Sequence, residues 1–493
     1  MRRIAPILLL LLFALTTIAQ EKLPKVAREF RGMWIATVGN LDFPSKQNLT
    51  ADQQKAELIS LLDLAVELKM NAVIFQVRSM GDAVYFSEIE PSSSFVTGQM
   101  GKKLEFDPLQ FLIEEAHARG ILVHAWFNPY RATSGGFNGE VADNHVIKKH
   151  PEWVRSYSTY KIVDPGIKEA QEYIIGVIAD VVKRYNIDGV HFDDYFYPYP
   201  DSNQTDFPDS EVYEAYKKNG GKLNKGDWRR KNVDDFIYNT SVEIKKIKPN
   251  VMFGVSPFGV WKQDDTLGIR CGTCSYDVLY ADAKKWFNEG WVDYLTPQLY
   301  WSTTNDKGQG FEKLLKWWNI ENKKKKHLWA GVAPYKVGDE RYQDFASPKE
   351  IEMQIGLTRN YLKDNAGTIH FRALSLAANK NSLKDSLKTN IYNINAIIPE
   401  SPWIESVKPE SPLMDVKKDE SKNLLIANWK SVGKTEAFRW IFYWKIGEKW
   451  SVAVLPIGQT NAEIPTNLGV KKFGIVAVDK LGNTSEPTFK EVK

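Results

Sequence analysis

The sequence has little cysteine, no long apolar run beyond its first residues and almost no excess of charge. Two cysteines among 493 residues allow at most one intramolecular disulfide, and a chain of this length needs none to bury a core. After residue 19 no run approaches the about 18 apolar residues of a membrane span. Lys and Arg number 65 against 61 Asp and Glu, so the marked basic excess of a dedicated nucleic-acid-binding protein is absent.

Motifs for several cofactors and catalytic classes are missing too. The chain carries no P-loop, no dinucleotide fingerprint and no serine-hydrolase elbow in the required context, and neither HExxH nor His-x-His occurs. We therefore expect no metal and no cofactor, although Asp193, Asp194 and His191, with His124, are an alternative set of ligands for a divalent ion. Cys271 and Cys274 form a lone CxxC, which favours a local disulfide over zinc.

The first 19 residues are typical of a cleavable signal peptide. Arg2 and Arg3 precede an apolar run over residues 4–15, and Thr17-Ile18-Ala19 supplies a small-residue cleavage site. This pattern predicts export to the periplasm, the cell envelope or the medium, with no integral membrane segment in the mature chain. Export removes ready access to nicotinamide cofactors and ATP, so hydrolysis or ligand binding is favoured.

Residues 28–398 alternate between strand-like and helical patterns eight times. Helix-to-strand connections are short and strand-to-helix connections are long, which predicts a (β/α)8 TIM barrel with an elaborated C-terminal face. The predicted strands cover residues 31–38, 72–78, 121–128, 189–195, 252–258, 292–301, 327–334 and 368–374. The predicted helices cover residues 51–69, 107–119, 164–185, 228–247, 276–289, 309–319, 348–363 and 379–393.

The pattern changes after about residue 398. Prolines at 399, 402, 409 and 412 mark a linker, and short alternating strands over residues 403–493 predict a small all-β sandwich. The run from Ile475 to Ser485, together with Trp429, resembles fibronectin type III domains. We expect few contacts across the join, so a chain ending near residue 398 should still fold, unless Trp403 and Ile404 dock on the barrel.

Side-chain alternation along the strands predicts a polar cleft inside the barrel mouth. Along each strand, the alternating apolar side chains face the helices, and the polar side chains between them therefore point inward. Aromatic residues at the same strand ends offer flat surfaces for sugar rings. The residues assigned inward are Gln76, Arg78, His124, Trp126, Asn128, His191, Asp193, Ser256, Thr296, Gln298, Tyr300, His370 and Arg372.

The adjacent pair Asp193-Asp194 is the most specific indication of catalytic chemistry in the sequence. Hydrolysis of a glycosidic bond needs two carboxyl groups, one as acid and one as nucleophile or base. Asp193 points inward and is predicted to be the nucleophile, base or charge stabiliser. Asp194 shares the site if the strand ends there, and otherwise orients Arg78 or His124. Four loop residues are alternative candidates for the second carboxylate, namely Asp42, Asp82, Glu88 and Asp264.

Several motifs resemble the bacterial glycosyl-hydrolase-like 10 family. They are Arg31-Gly32-Met33-Trp34, Gln76-Val77-Arg78, residues 124–131 (HAWFNPYR), residues 188–198 (DGVHFDDYFYP) and residues 293–301 (DYLTPQLYW). The resemblance implies a TIM-barrel glycoside hydrolase that acts on cell-wall glycan, most simply peptidoglycan strands. The predicted catalytic pair is Asp193 and Asp194, and the predicted substrate-binding residues are Arg78, Asp82, His124, Trp126, Asn128, Arg131, His191, Tyr195, Gln298, Tyr300 and Trp301.

Two other functions fit the same residues. A non-catalytic barrel would bind glycan in this cleft without cleaving it. A hydrolase of a dietary or host polysaccharide would use the same carboxylates on another substrate. Either way the expected partner is a glycan rather than a nucleic acid.

Overall fold

A closed parallel barrel forms the larger part of the molecule. The computed structural model describes residues 22–492, so the predicted signal peptide over residues 1–19 lies outside the described residues. The seventh strand is split, and its first part pairs with strand six while its second part pairs with strand eight, which closes the sheet. The predicted (β/α)8 barrel is therefore confirmed. Its strands are Phe30–Ile35, Ala72–Arg78, Leu122–Phe127, Gly189–Phe192, Met252–Val255, Tyr294–Leu295, His327–Leu328 with Ala330–Val332, and Gly367–His370.

Helices surround the barrel and follow the strands in turn. Thr50 and Gln53 form the predicted capping box of the first helix, and the Asp107 side chain caps the second. Within residues 22–492 no helix is long and apolar enough to cross a membrane. The main helices are Ala51–Glu67, Pro108–Ala118, Lys168–Arg184, Lys225–Ile247, Ala283–Glu289, Phe311–Glu321 and Lys349–Leu362, with short helices Ala373–Ala377 and Leu383–Ser386 after the last strand.

Two predicted helix starts are wrong. The helix predicted from Asp164 begins at Lys168, because the Asp164 carboxylate instead accepts from the Gly166 backbone and pairs with Arg155 at 3.1 Å. The helix predicted from residue 276 begins at Ala283, where Asp282 is the residue that accepts from the Lys285 backbone. In both cases the residue that caps the helix, or the turn before it, lies further along the chain than the local pattern indicated.

The long loops carry their own small elements. The loop after strand three contains an antiparallel sheet of Arg131–Thr133, Tyr160–Val163 and Val154–Tyr157, in that spatial order. Cys271 and Cys274, in the loop after strand five, are joined by the disulfide that their spacing predicted. Further short helices in these loops are Ser94–Thr97, Val146–Lys149 and Ser210–Lys218.

Aromatic side chains fill the barrel interior below its mouth. The rings of Phe30 and Trp329 stack with centroids 3.6 Å apart, and Tyr294 lies 4.7 Å from Trp329. In strand eight the inward and outward side chains are the reverse of the sequence prediction. Ile369 packs in this interior cluster, whereas His370 contacts Tyr392 outside it. The inward assignment of His370 is therefore wrong.

Seven strands after the barrel form two packed antiparallel sheets. Their shared core contains Trp429, whose ring stacks on Phe442 at 5.0 Å. The predicted all-β sandwich is confirmed, and its likeness to fibronectin type III domains and its boundaries stay predictions. One sheet contains Leu413–Asp419, Leu424–Lys430 and Asn461–Pro465. The other contains Lys449–Pro456, Arg439–Ile446, Val470–Val478 and Thr488–Glu491.

The sandwich packs against the N-terminal end of the barrel. Phe438 and Leu481 join the apolar cluster of the barrel interior, and the Arg439 guanidinium donates to the Gly120 carbonyl at 2.7 Å. Lys480 pairs at 2.8 Å with Asp188, which directly precedes strand four, and Trp403 donates to Asp293 at 3.0 Å. The expectation of few contacts across the join is therefore wrong, and the docking of Trp403 that was its alternative is observed.

Candidate active site

A pocket of about 240 Å³, here called the acidic pocket, lies at the carboxyl ends of the barrel strands. Its residues come from the ends of strands one to six and eight and from the loops that follow them. This is the face on which active sites of such barrels are built. The lining consists of Trp34, Ala36, Val38, Leu41, Gln76, Trp126, Arg131, Asp193, Asp194, Tyr195, Tyr199, Ser256, Gln298, Tyr300 and Phe371.

Asp193 and Asp194 both reach this pocket although they are adjacent in sequence. Strand four ends at Phe192, so strict alternation of side chains no longer applies to the two aspartates. They are 5% and 2% exposed, and the Tyr199 hydroxyl donates to the Asp194 carboxylate. The structure therefore follows the alternative in which Asp194 shares the site, rather than the one in which it orients Arg78 or His124.

A chain of side-chain amides fixes the position of Asp193. The Gln76 oxygen accepts from the Thr37 and Val38 backbone amides at 2.8 and 2.9 Å, so its nitrogen faces Asn128. That nitrogen donates to the Asn128 oxygen at 2.5 Å, and the Asn128 nitrogen then donates to Asp193 at 2.5 Å. Asn128 therefore contacts Asp193 from behind the pocket wall, and its donated hydrogen bond favours the ionised form of Asp193.

Burial makes both carboxyl groups weaker acids than usual. It raises the pKa of Asp193 to about 7, against the opposing positive charge of Arg131, and the negative charge of Asp194 raises it further. Burial also raises the pKa of Asp194, although hydrogen bonds from Tyr199 and Gln298 oppose this shift. Carboxyl groups with a perturbed pKa in a cleft are a physical signature of acid–base chemistry.

Two predicted binding histidines lie one layer below the pocket. Trp34 donates to His191 Nε2 at 3.1 Å, so His191 Nδ1 carries the hydrogen and donates to the Tyr294 hydroxyl at 2.9 Å. That hydroxyl in turn donates to His124 Nδ1 at 2.8 Å. Burial lowers the pKa of His191 and lowers that of His124 to about 4, so both rings are neutral. They support the pocket floor through Trp34.

Six of the predicted site residues do not line the acidic pocket within residues 22–492. Besides Asn128, His124 and His191, these are Arg78, Asp82 and Trp301. A register shift after Gln76 accompanies the displacement of Arg78, whose guanidinium pairs with Glu90 at 2.6 Å in the protein interior. Asp82 accepts from the Ser79 and Met80 amides of its own turn, and Trp301 packs edge-on against Phe258.

Only some of the side chains predicted to meet Asp193 in one cleft are found there. Trp126, Arg131, Tyr195, Gln298 and Tyr300 do line the pocket with the two aspartates. Arg78, His124 and Asn128 were expected in the same cleft, and they lie behind or below its wall. Binding of substrate by each of these residues stays a prediction.

Sequence reasoning missed Trp34 and Phe371, which both line the pocket. The alternation rule would have found Trp34 if it had been applied to strand one, where Phe30, Trp34 and Ala36 share the inward face. The four loop carboxylates left open do not line the pocket within residues 22–492. Asp42, for example, pairs with Arg372 at 2.8 Å.

The acidic pocket lacks the donor set of a metal centre. Among residues 22–492, no group of three or more His, Cys, Asp or Glu side chains is arranged to hold a metal ion. The polar groups that converge on the pocket include two carboxyls, the Gln76 and Gln298 amides, the Arg131 guanidinium, the Ser256 hydroxyl and tyrosine hydroxyls. Such a set can bind hydroxyl-rich ligands by paired hydrogen bonds.

Comparisons with known proteins find close relatives in sequence. The sequence profile of the family described as "Glycosyl hydrolase-like 10" matches residues 29–346. The chain is 39% identical over 481 residues to glycosyl hydrolase YngK of Bacillus subtilis, covering 94% of both proteins. It is 38% identical over 374 residues to glycosyl hydrolase DigH of Escherichia coli K12, covering 70% of this chain and 83% of that protein.

Solved structures with a related shape share little sequence with this chain. The PgaB glycoside hydrolase domain from Bordetella bronchiseptica superposes with a TM-score of 0.48 at 12% identity, covering 74% of this chain and 98% of that one. The match to the family profile extends over more than half of the chain, and the relative from Bacillus subtilis spans nearly all of it. The chain therefore belongs to the glycosyl hydrolase-like 10 family.

Proposed function

We propose that the protein is an exported glycoside hydrolase that cleaves bacterial cell-wall glycan, with peptidoglycan strands as its substrate. The observation that carries the proposal is the pair Asp193 and Asp194, two buried carboxyl groups with raised pKa at one polar pocket. Family membership supports glycosidic chemistry, and the signal-like N-terminal sequence supports export.

The two aspartates take different roles in this proposal. Asp193 holds its proton near neutral pH and donates it to the glycosidic oxygen, so that the leaving sugar departs as an alcohol. Asp194, which receives hydrogen bonds from Tyr199 and Gln298, acts as the carboxylate that attacks the anomeric carbon or activates water. Water supplies the hydroxyl of the new reducing end. This reverses the role that the sequence suggested for Asp193, because its raised pKa favours the acid.

Incubation with purified peptidoglycan tests the activity itself. We expect soluble sugar fragments with new reducing ends, measured on strands with and without their stem peptides. Binding to the insoluble wall is measured in parallel by co-sedimentation. Binding without fragment release would contradict the proposal and favour the non-catalytic glycan-binding barrel, whereas release only from other glycans in a panel would favour a dietary or host polysaccharide.

The pH dependence of kcat/KM tests the assignment of roles. A general acid must be protonated, so we expect kcat/KM to fall as the pH rises through about 7, the pKa of Asp193. Asn128→Ala removes a donor to the ionised form, which raises the pKa of Asp193 and moves the alkaline limb to higher pH. Asn219→Ala, at an exposed site, should leave the profile in place. An activity that instead rises through pH 7 would make Asp193 the base.

A further inference from the structure

A second pocket, here called the outer pocket, adjoins the acidic pocket and has the same volume of about 240 Å³. The residues that both pockets share are Arg131, Tyr195 and Tyr199. Its remaining wall consists of Tyr160, Ile162, Phe196 and Pro198. The proposed function assigns nothing to this pocket, although a glycan strand bound at Asp193 must continue beyond the acidic pocket.

The antiparallel sheet in the loop after strand three builds one wall of the outer pocket. Arg131 pairs directly with Ile162 across two strands, and Tyr160 lies two residues from Ile162, so these three side chains share one face. The opposite wall follows Asp193-Asp194 in the chain. The two walls therefore place the outer pocket beside the catalytic carboxyls.

The outer pocket presents flat rings to solvent. Tyr160 and Tyr195 are 37% and 38% exposed. The Tyr160 ring lies against the Gly135 backbone so closely that a β-carbon there would come within 3.0 Å of the ring. Packing against the Gly135 backbone limits the positions open to the ring on that side. Tyrosine rings offer an apolar face and a polar edge, as sugar rings do.

Arg131 lies at the junction of the two pockets with its donors unused. It is 8% exposed, and its guanidinium lies 4.3 Å from the centre of the Tyr195 ring. Its positive charge acts on Asp193 and Asp194, and within residues 22–492 the guanidinium makes no hydrogen bond or ion pair. A guanidinium carries five donors, and no Arg131 nitrogen is fully buried without a partner, so these donors are accessible from the pockets. The oxygen-rich link between two sugars would satisfy them.

We infer that the outer pocket is a second sugar subsite, in which a pyranose ring packs on Tyr160 and Tyr195 while Arg131 donates hydrogen bonds to oxygens at the junction with the sugar in the acidic pocket. The inference rests on the proposed function for the identity of the glycan. It makes Tyr160 a residue that determines chain-length preference rather than a catalytic residue.

Tyr160→Ala tests the subsite with peptidoglycan glycan oligosaccharides of increasing defined length. We expect its KM for long strands to rise about three- to tenfold, because one aromatic contact is lost, while kcat stays unchanged. For fragments too short to reach the outer pocket the KM should stay the same. Tyr160→Phe keeps the ring and should behave as the native protein, as should Tyr238→Ala, which removes an exposed tyrosine elsewhere.

The possible outcomes separate this inference from the proposed function. If Tyr160→Ala leaves the KM for long strands unchanged, or raises it equally for short and long strands, the subsite is wrong. Gly135→Ala, which would move the Tyr160 ring by only a few tenths of an ångström, should raise the KM for long strands less than Tyr160→Ala does. If the native protein hydrolyses none of the strands, the proposed function fails, and calorimetric binding of the same oligosaccharides to native and Tyr160→Ala protein still decides the subsite.

Discussion

Asp193→Asn is expected to reduce kcat on peptidoglycan strands by about 10²–10⁴-fold, the usual contribution of one acid–base group. Asparagine has nearly the same shape, but it cannot donate a proton to the glycosidic oxygen or carry the charge of the carboxylate. Its amide oxygen can still accept from Asn128, which donates to Asp193 at 2.5 Å in the native protein. Binding to the wall should therefore be retained, and fragment release and co-sedimentation measure the two effects separately.

The control is a carboxylate outside the acidic pocket. Asp264, one of the loop acids that the sequence left open, accepts from Thr266 within its own turn. Asp264→Asn should leave fragment release unchanged, whereas Asp194→Asn should lose activity as Asp193→Asn does. A fully active Asp193→Asn protein would remove the basis of the proposed mechanism.

Ending the chain at residue 398 is expected to lower the thermal unfolding midpoint by about 6 °C, the shift that a loss of about 5 kcal/mol causes in a barrel of this length. The truncation uncovers the apolar cluster that Phe438 and Leu481 close, and it leaves Asp188 without Lys480. The pairing with Lys480 and His117 lowers the pKa of Asp188 despite its burial, so the ionised carboxylate depends on these partners. Differential scanning calorimetry measures the shift.

Point variants in the full-length chain check the cause of that loss. Phe438→Ser and Lys480→Met should each reproduce part of it, because Phe438 packs on the barrel and Lys480 pairs with Asp188. Leu468→Ala, at a half-exposed position of the same sandwich, should have little effect. A truncated barrel that unfolds at the full-length temperature would show that the interface adds nothing to stability.

Local patterns were sufficient to predict the architecture. The eight alternations of strand and helix, the capping residues of the first two helices and the asymmetry of the loops are short-range features, and the barrel follows from them. Docking of the sandwich did not follow, because it depends on which surfaces are left apolar after both parts fold. Nothing in the local sequence around Phe438 or Lys480 indicates that they contact the N-terminal end of the barrel.

For the site, the sequence by itself determined which residues stand at the strand ends, and so it predicted Asp193 and Gln298 at the barrel mouth, while Arg131 followed from the family resemblance. Only the tertiary structure decided how deep each side chain lies. His124 and His191 occupy the layer below because a barrel interior is filled in layers, and Arg78 turns away because Glu90 neutralises it inside the protein. The raised pKa of Asp193 is likewise tertiary, since it comes from burial and the nearby charge of Asp194 rather than from the residue type.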